Sequence, residues 1–198
     1  MTNRFFALLL LLAACVPIKI VHAQAAPTAT RGLDLSAFAG VAGVYTGLAG
    51  GRNASIVAGA DVAFSVWHGA RPAVEVRGLF PIDSGSVSDQ RSILVGPRVA
   101  FLPKRRFHPY GDFLFGRGQM NYERGGYLFG NAVYLETTTN VYSPGGGVDY
   151  DLTSNLSIKA DAQYQHWGYT PTPSGSIWSK VGTVGVVYHF TFGVRRLP

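Results

Sequence analysis

The stretch LSIKADAQYQHW, residues Leu156–Trp167, decides the fold class of this chain. Apolar side chains recur at every second position from Leu156 to Tyr164, and a polar residue stands at each position between them. Side chains of a β-strand point alternately to opposite faces, so the pattern predicts a strand with one apolar and one polar face. In a water-soluble barrel the apolar face would point inward, whereas in a barrel embedded in lipid it points outward.

The composition of the 198-residue chain favours a single β-rich domain. After residue 26 there are only three Lys and three Glu, which are common in helices, and all 25 Gly lie beyond residue 30. No run of eighteen apolar residues follows residue 30, so the sequence predicts no transmembrane helix in the body of the chain.

The first 25 residues are typical of an export signal. Arg4 supplies a positive start, residues 5–16 form an apolar run, and small residues at Ala23 and Ala25 fit a cleavage site. The predicted domains are therefore a signal peptide at 1–25 and a β-barrel domain at 26–198. The sequence around Cys15 leaves an alternative open, because Leu-Ala-Ala-Cys resembles a lipoprotein box in which Cys15 is acylated.

The charge and cysteine content of the body exclude several function classes. Without Arg4 and Lys19 there remain 15 basic and 11 acidic residues, a net charge of +4 that is evenly spread. Nucleic acid is therefore not an expected partner. The body has no cysteine, which excludes disulfides and thiol chemistry.

Eight segments of the body show the same alternation, and their connections predict a meander. Connections after the odd-numbered segments are long, and those after the even-numbered segments are short. This pattern predicts an all-β fold, an eight-stranded antiparallel up-and-down transmembrane β-barrel. The segments are placed at 33–43, 55–66, 73–80, 91–101, 109–120, 139–152, 156–167 and 180–192.

Three residues break the alternation. Phe38 interrupts the first segment, and Asp112 and Arg117 interrupt the fifth. An extra residue in one strand shifts the parity of those that follow it, so a β-bulge or an incorrect boundary is expected at both places.

Charged side chains of both signs stand at mid-strand on the polar faces. An Arg or Lys at the bilayer midplane costs about 2–4 kcal/mol, and a charge in a soluble apolar core is costly unless it is paired. Inside an eight-stranded barrel, which side chains just fill, such charges can pair with one another. The polar faces are therefore predicted to form a lumen ion-pair network of Asp61, Glu75, Arg77, Arg98, Asp149, Lys159 and Asp161.

One pair in this network follows from strand register. If residues 153–155 form a turn, Asp149 lies opposite Lys159 on the polar face of the adjoining strand. The sequence therefore predicts an interior ion pair between these two residues.

Aromatic residues near the strand ends predict interfacial girdles, since rings with an apolar and a polar side collect at membrane interfaces. The alternative is a soluble barrel such as a lipocalin, in which these rings would be core residues and the seven charges would face water. The predicted girdle residues are Trp67, Tyr110, Tyr150 and Trp167.

The last strand and the hairpin GGGVDYDLTSNLSIKADAQY, residues 145–164, resemble small bacterial outer-membrane β-barrels of the OmpA-like barrel-domain superfamily. The resemblance implies a monomer in the bacterial outer membrane that contacts its lipid and lipopolysaccharide and is inserted by the barrel assembly machinery. The C-terminal β-signal read by that machinery is similar to a pattern formed here by Thr183, Gly185, Tyr188, Phe190 and Phe192. The chain continues six residues past Phe192, whereas such chains commonly end on the final Phe.

The resemblance leaves activity open, because these barrels host many functions. Some are enzymes that modify lipid A with a His, a Ser and an acid, which makes His166 and His189 the residues to weigh. His189 is followed by Thr191 where a nucleophilic Ser would be expected, and no cluster has metal-ligand spacing. We expect no catalytic residue, metal or cofactor. The expected function is a structural or surface-binding role through the long loops, for an unidentified ligand, with a deacylase-like enzyme or a narrow small-solute channel as alternatives.

Overall fold

The computed structural model describes residues 33–83, 85, 87–101, 106–123 and 125–190. The predicted signal peptide at 1–25, with Cys15, and the β-signal residue Phe192 lie outside the described residues. In the described part of the chain no helix has the length and apolarity needed to cross a bilayer.

The prediction of an eight-stranded antiparallel barrel is confirmed. The strands are β1 Asp34–Tyr45, β2 Arg52–Ala63, β3 Ala70–Pro81, β4 Ser88–Phe101, β5 Phe107–Tyr122, β6 Tyr127–Phe129, β7 Ala132–Tyr134, β8 Glu136–Asp151, β9 Leu156–Gly168 and β10 Ser176–Phe190. The eight long strands pair with their neighbours in the order β1-β10-β9-β8-β5-β4-β3-β2, and β2 pairs with β1 to close the sheet. The two short strands, β6 and β7, form a separate hairpin between β5 and β8.

The connections do not alternate in length as strongly as the sequence indicates. The β1–β2 connection covers residues 46–51, the same length as the β2–β3 connection at 64–69. Several strands extend past the alternating segments, since backbone pairing requires no apolar side chain. Part of the predicted loop at 121–138 is the β6–β7 hairpin, which turns at Gly130 with a φ of 61°.

The parity breaks at Phe38, Asp112 and Arg117 are not bulges, although the boundaries of both segments differ from the predicted ones, since β1 covers Asp34–Tyr45 and β5 covers Phe107–Tyr122. The register of β1 against β10 is continuous from Leu35↔Phe190 to Tyr45↔Lys180, and the β5–β8 register is continuous as well. Phe38 and Asp112 instead point into the barrel, and Arg117 points out of it. An interior filled by side chains accepts an aromatic ring, and an outer wall near a barrel rim accepts a cation.

The two ends of the barrel differ. The end that carries Leu33 and Phe190, here called the terminal end, also carries the connections at 64–69 and 152–155. The opposite end, here called the loop end, carries the β1–β2 connection, the β6–β7 hairpin and the β9–β10 connection at 169–175.

The strand quoted at the outset shows which face is inside. In β9 the apolar side chains of Ile158 and Tyr164 are exposed on the outer wall, while Lys159 and Gln165 are buried in the interior. The other strands repeat this arrangement, so the barrel is apolar outside. The exposed apolar side chains on the wall include Val41, Ile56, Val62, Val74, Val76, Phe80, Ile93, Val95, Phe113, Phe115, Val184 and Val186.

An arginine on this wall should be costly only if the wall contacts lipid. Val184 lies near the middle of β10 and is exposed. We expect Val184→Arg to lower the free energy of unfolding from lipid vesicles by about 2–4 kcal/mol, measured by urea titration. Val184→Leu is the control and should change it little. Equal values for the two variants would show that this face does not meet lipid.

Candidate functional site in the barrel interior

Arg77 on β3 is the centre of one half of the interior charge network. Its guanidinium donates two parallel hydrogen bonds to Asp161 on β9, at 2.9 and 2.8 Å. Its Nε donates to Glu75 Oε1 at 2.8 Å, two residues away on the same face. Paired N–H groups match the two oxygens of a carboxylate, so this contact fixes geometry as well as charge.

Arg98 on β4 holds the other half. Its Nη1 donates to Asp61 Oδ2 at 3.2 Å, and its Nη2 donates to Asp149 Oδ2. Ser36 Oγ donates a further bond to the same Asp61 oxygen at 2.7 Å. Glu75 joins the halves, because its Oε2 lies 3.7 Å from Arg98 Nη1 while its Oε1 contacts Arg77.

Lys159 on β9 is fully buried between the two halves. Its Nζ lies 3.6 Å from Glu75 Oε2 and 4.0 Å from Asp149 Oδ1. Asp149 is also its register partner across the β8–β9 turn. The ammonium faces two rings, at 4.5 Å from the Phe38 centroid and 4.4 Å from the Tyr110 centroid, and such faces attract cations.

The network contains a residue that the sequence analysis did not include. Asp112 on β5 has a fully buried carboxylate 3.7 Å from Arg77 Nη2, and Gln163 Nε2 donates to both of its oxygens at 2.9 and 3.0 Å. The interior therefore brings together five carboxylates and three cations. The signal was present in the sequence, since Asp112 shares its parity with Tyr110 and Leu114, which also face inward.

Two predicted girdle residues, Tyr110 and Trp167, belong to the interior instead. Tyr110 is 5% exposed, and its ring centroid lies 3.8 Å from Arg98 Cζ. Its hydroxyl donates a hydrogen bond to Asp161 Oδ2 at 3.0 Å. Trp167 is 0% exposed, and its indole N–H donates to Gln165 at 3.2 Å. Both rings have polar partners inside the barrel, which a lipid-facing position would not supply.

The other girdle predictions have outward positions. Tyr150 is exposed on the outer wall, and Trp67 is exposed beside the β2–β3 turn, where its ring meets His68 edge-on. Outward-facing rings toward the loop end also include some that the sequence analysis did not assign to a girdle. Among them are Tyr45, Tyr164 and Trp178, of which the last two stack at 4.6 Å.

Apolar side chains fill the interior toward the loop end. Trp167 packs against Gly118, where an added Cβ would come within 2.3 Å of the indole ring. Glycine at this position is therefore required by the close approach of the ring. The buried cluster consists of Leu48, Leu94, Leu114, Met120, Tyr122, Val141, Trp167 and Ile177.

At the terminal end the interior opens into a cavity of about 430 Å³ lined in part by two histidines. His108 Nε2 lies 2.8 Å from Asp151, whose other oxygen accepts a hydrogen bond from Ser157 Oγ at 2.7 Å. His189 Nε2 lies 2.9 Å from the same Ser157 Oγ. Because the hydroxyl proton is directed to Asp151, His189 donates to the oxygen, and Ser157 is not arranged as a nucleophile that His189 activates.

Ser157 was not a candidate from the sequence, because only register brings it to His189 across β9 and β10. His166, the other histidine considered, lies near the loop end with its ring 4.6 Å from Trp178. His166 and His189 therefore lie at opposite ends of the barrel.

Four residues of the predicted β-signal, Thr183, Gly185, Tyr188 and Phe190, lie in β10, the strand that closes the barrel against β1. Thr183 points inward, whereas Tyr188 and Phe190 are exposed on the outer wall and their rings meet edge-on at 5.1 Å. Gly185 pairs with Gly40, and a Cβ at Gly185 would lie 2.5 Å from the Ala39 carbonyl oxygen. The strand seam is therefore tight at this glycine pair.

The comparison with protein families decides the identity of this barrel. The chain matches the outer membrane protein β-barrel domain over residues 6–190. It belongs to that family. As a member, it is a transmembrane β-barrel of the bacterial outer membrane, as the resemblance noted in the sequence implies. No curated protein sequence matches the chain.

Several solved structures are similar to the chain at low sequence identity. Neisserial surface protein A is 19% identical, with a TM-score of 0.52 over 80% of this chain and 97% of that one. The attachment invasion locus protein Ail of Yersinia pestis is 13% identical, with a TM-score of 0.48 over 80% of this chain and 99% of that one. The N-terminal β-barrel domain of Pseudomonas aeruginosa OprF is 15% identical, with a TM-score of 0.41 over 81% and 100%.

Removing one cation from the interior network should leave carboxylates buried without compensation. We expect Arg77→Met to lower the free energy of unfolding by about 3–5 kcal/mol, because Asp161 and Glu75 lose their main partner. The matched control is Arg117→Met on the exposed wall, with an expected change within about 0.5 kcal/mol. Urea titration in lipid vesicles measures both, and equal losses would contradict a coupled interior network.

Proposed function

We propose that this chain is a non-enzymatic outer-membrane protein with a plugged lumen and a surface-binding role through its loop end. The observation that carries the proposal is the exposure of the hairpin segment 127–135. Leu128, Val133 and Leu135 are 68%, 58% and 64% exposed, although they stand beyond the ends of the barrel strands.

Exposed apolar side chains outside the lipid-facing wall favour a contact with a partner. Burying one Leu or Val side chain contributes about 1.5–3 kcal/mol, and contiguous apolar patches on water-facing surfaces mark interaction sites. Phe129 and Tyr134 on the same hairpin are exposed as well. A short paired hairpin also holds these side chains in fixed positions, which reduces the entropy lost on binding.

Two layers of the interior support the plug. The ion-pair network crosses the middle of the barrel, and the apolar cluster around Trp167 fills it toward the loop end. Eight strands leave an interior that side chains can fill completely. This favours a closed barrel over the narrow-channel alternative.

The enzyme alternative has less support. Ser157 and His189 meet at hydrogen-bond distance, but Asp151 accepts from the serine and does not orient the histidine. A nucleophile activated by a base requires the acid on the far side of the histidine.

The expectations from the sequence about export, assembly and the membrane belong to the same proposal. We infer that residues 1–25 direct export and that residues 183–192 are read by the barrel assembly machinery. The outer wall then contacts outer-membrane lipid and lipopolysaccharide, and the barrel acts as a monomer. The apolar outer wall and the seam strand β10 are consistent with this assignment.

A plugged lumen should carry no current. We expect the purified chain in a planar bilayer to show no conductance above the lipid baseline, since charged pairs and the Trp167 cluster occupy the interior. Trp167→Gly, which removes the largest ring from the cluster, is the comparison variant. Steady single-channel openings of the wild-type protein would contradict the plug and support the channel alternative.

The hairpin should carry the binding. Cells that display the chain would be tested on a panel of immobilised proteins, glycans and lipid films. We expect adhesion to at least one surface, and the triple variant L128S/V133S/L135S should lower it by at least about tenfold because three apolar contacts are lost.

The control variant is Tyr169→Asn in the β9–β10 connection, where Tyr169 is exposed and has a φ of 52°. Asn adopts this backbone conformation readily, so the change removes a ring without straining the loop. A heat-shifted band on a detergent gel would verify that each variant is folded. Adhesion that is equal in wild type and triple variant, or absent from the whole panel, would contradict the proposal.

A further inference from the structure

The outer wall carries a groove at the loop-end half of β1, β2, β8, β9 and β10. Its volume is about 920 Å³, against about 430 Å³ for the interior cavity at the terminal end. Small residues in register form its floor. Gly43 pairs with Gly182 and Ala54, Gly182 pairs with Ala162, and Ala162 pairs with Gly146.

Packing within the barrel does not require glycine at the centre of this floor. A Cβ added at Gly43 or Gly182 would meet nothing within 4 Å, whereas one at Gly40 or Gly185 would meet backbone at about 2.5 Å. Glycine in a strand costs conformational entropy and leaves no side chain to pack. Its use at two open positions keeps space free on the lipid side of the wall.

A cation stands directly above this space. Lys180 lies two residues from Gly182 toward the loop end, between its register partners Tyr45 and Tyr164. It is exposed on the outer wall, and its ammonium has no ion-pair or hydrogen-bond partner among the described residues. A lysine on a lipid-facing wall is costly unless it reaches the interface, where an anionic headgroup can neutralise it.

The other charged residues at the groove leave a net positive rim. Arg52 is the register partner of Tyr45 on β2 and is exposed. Asp83 also lines the groove, and its Oδ1 accepts a hydrogen bond from the Ala54 amide at 3.2 Å. Two cations against one engaged carboxylate favour an anionic occupant.

We propose that this groove binds one anionic, phosphate-bearing lipid, with an acyl chain along the small-residue floor and the phosphate at Lys180. A methylene chain has the width that small residues leave open, and tyrosines on both sides of the lysine place it at headgroup level. The site is separate from the loop-end hairpin, and it depends on the membrane location but not on the surface-binding role.

The test is native mass spectrometry of the full chain in detergent, titrated with phosphatidylglycerol or with phosphatidylcholine of the same acyl chains. We expect one phosphatidylglycerol to remain bound at lower lipid concentration than phosphatidylcholine. Lys180→Gln should weaken phosphatidylglycerol binding about fivefold and leave phosphatidylcholine unchanged. Ala162→Leu, which fills the floor, should weaken both lipids.

Matched controls exist on the same wall. Ala160→Leu changes an outward residue on β9 that does not line the groove, and Arg117→Gln removes an exposed cation elsewhere. Both should bind lipid as wild type does. If Ala162→Leu fails to give a heat-shifted band, Gly182→Leu replaces it, since a Cβ has open space there.

Three results would overturn the proposal. The first is equal affinity of the wild-type chain for the two lipids. The second is identical lipid binding by the Ala162→Leu and Ala160→Leu variants. The third is a two-copy species that Ala162→Leu abolishes, which would assign the groove to a second copy of the chain.

Discussion

The closure of the sheet between β1 and β10 is the constraint on which the other features of this barrel depend. Lipid offers no hydrogen-bond partner to a backbone amide, so a sheet in a membrane must have no free edge. Continuous pairing from Leu35↔Phe190 to Tyr45↔Lys180 removes the edge. Once eight strands close, the interior is narrow, and every inward side chain must fit against those of the opposite wall.

This narrow interior explains why charge and aromatic rings occur together there. Three cations and five carboxylates can be buried because each has several partners, and because Phe38 and Tyr110 present ring faces to Lys159. An ion pair buried in this way need not stabilise the fold by itself. It does prevent the inward and outward faces from exchanging places, because the charged side chains would then face lipid. The network therefore specifies which face meets lipid.

Period-two alternation was sufficient to predict the class of fold, the outward apolar face and seven of the eight charged residues of the interior network; it missed Asp112. The same alternation also separates inward from outward aromatic residues. Trp167 has the parity of Ser157 and Gln165, and Tyr110 has the parity of Asp112, so both could have been assigned to the interior. Their positions near strand ends favoured a girdle instead, since proximity to an end does not distinguish the two faces.

Other features could not be read from the sequence. The distance between Ser157 and His189, the contact of Arg77 with Asp161 and the space beside Gly43 depend on which residues lie opposite one another across strands. Register within a tight hairpin such as the one at 153–155 is predictable, because turn length sets it. Contacts across the interior also depend on the stagger of the whole barrel, which no single hairpin determines.

The distribution of the network over the strands has a consequence for how the barrel assembles. Its charged members come from β2, β3, β4, β5, β8 and β9. Three pairs of them lie directly opposite each other on the two strands of a hairpin: Asp61↔Glu75, Arg98↔Asp112 and Asp149↔Lys159. Arg77 has its bidentate partner on β9, 84 positions away in the chain. A partly inserted sheet would therefore hold unpaired charges against lipid, which raises the free energy of insertion intermediates. We therefore expect insertion to be cooperative, with most of the stability gained when β1 pairs with β10.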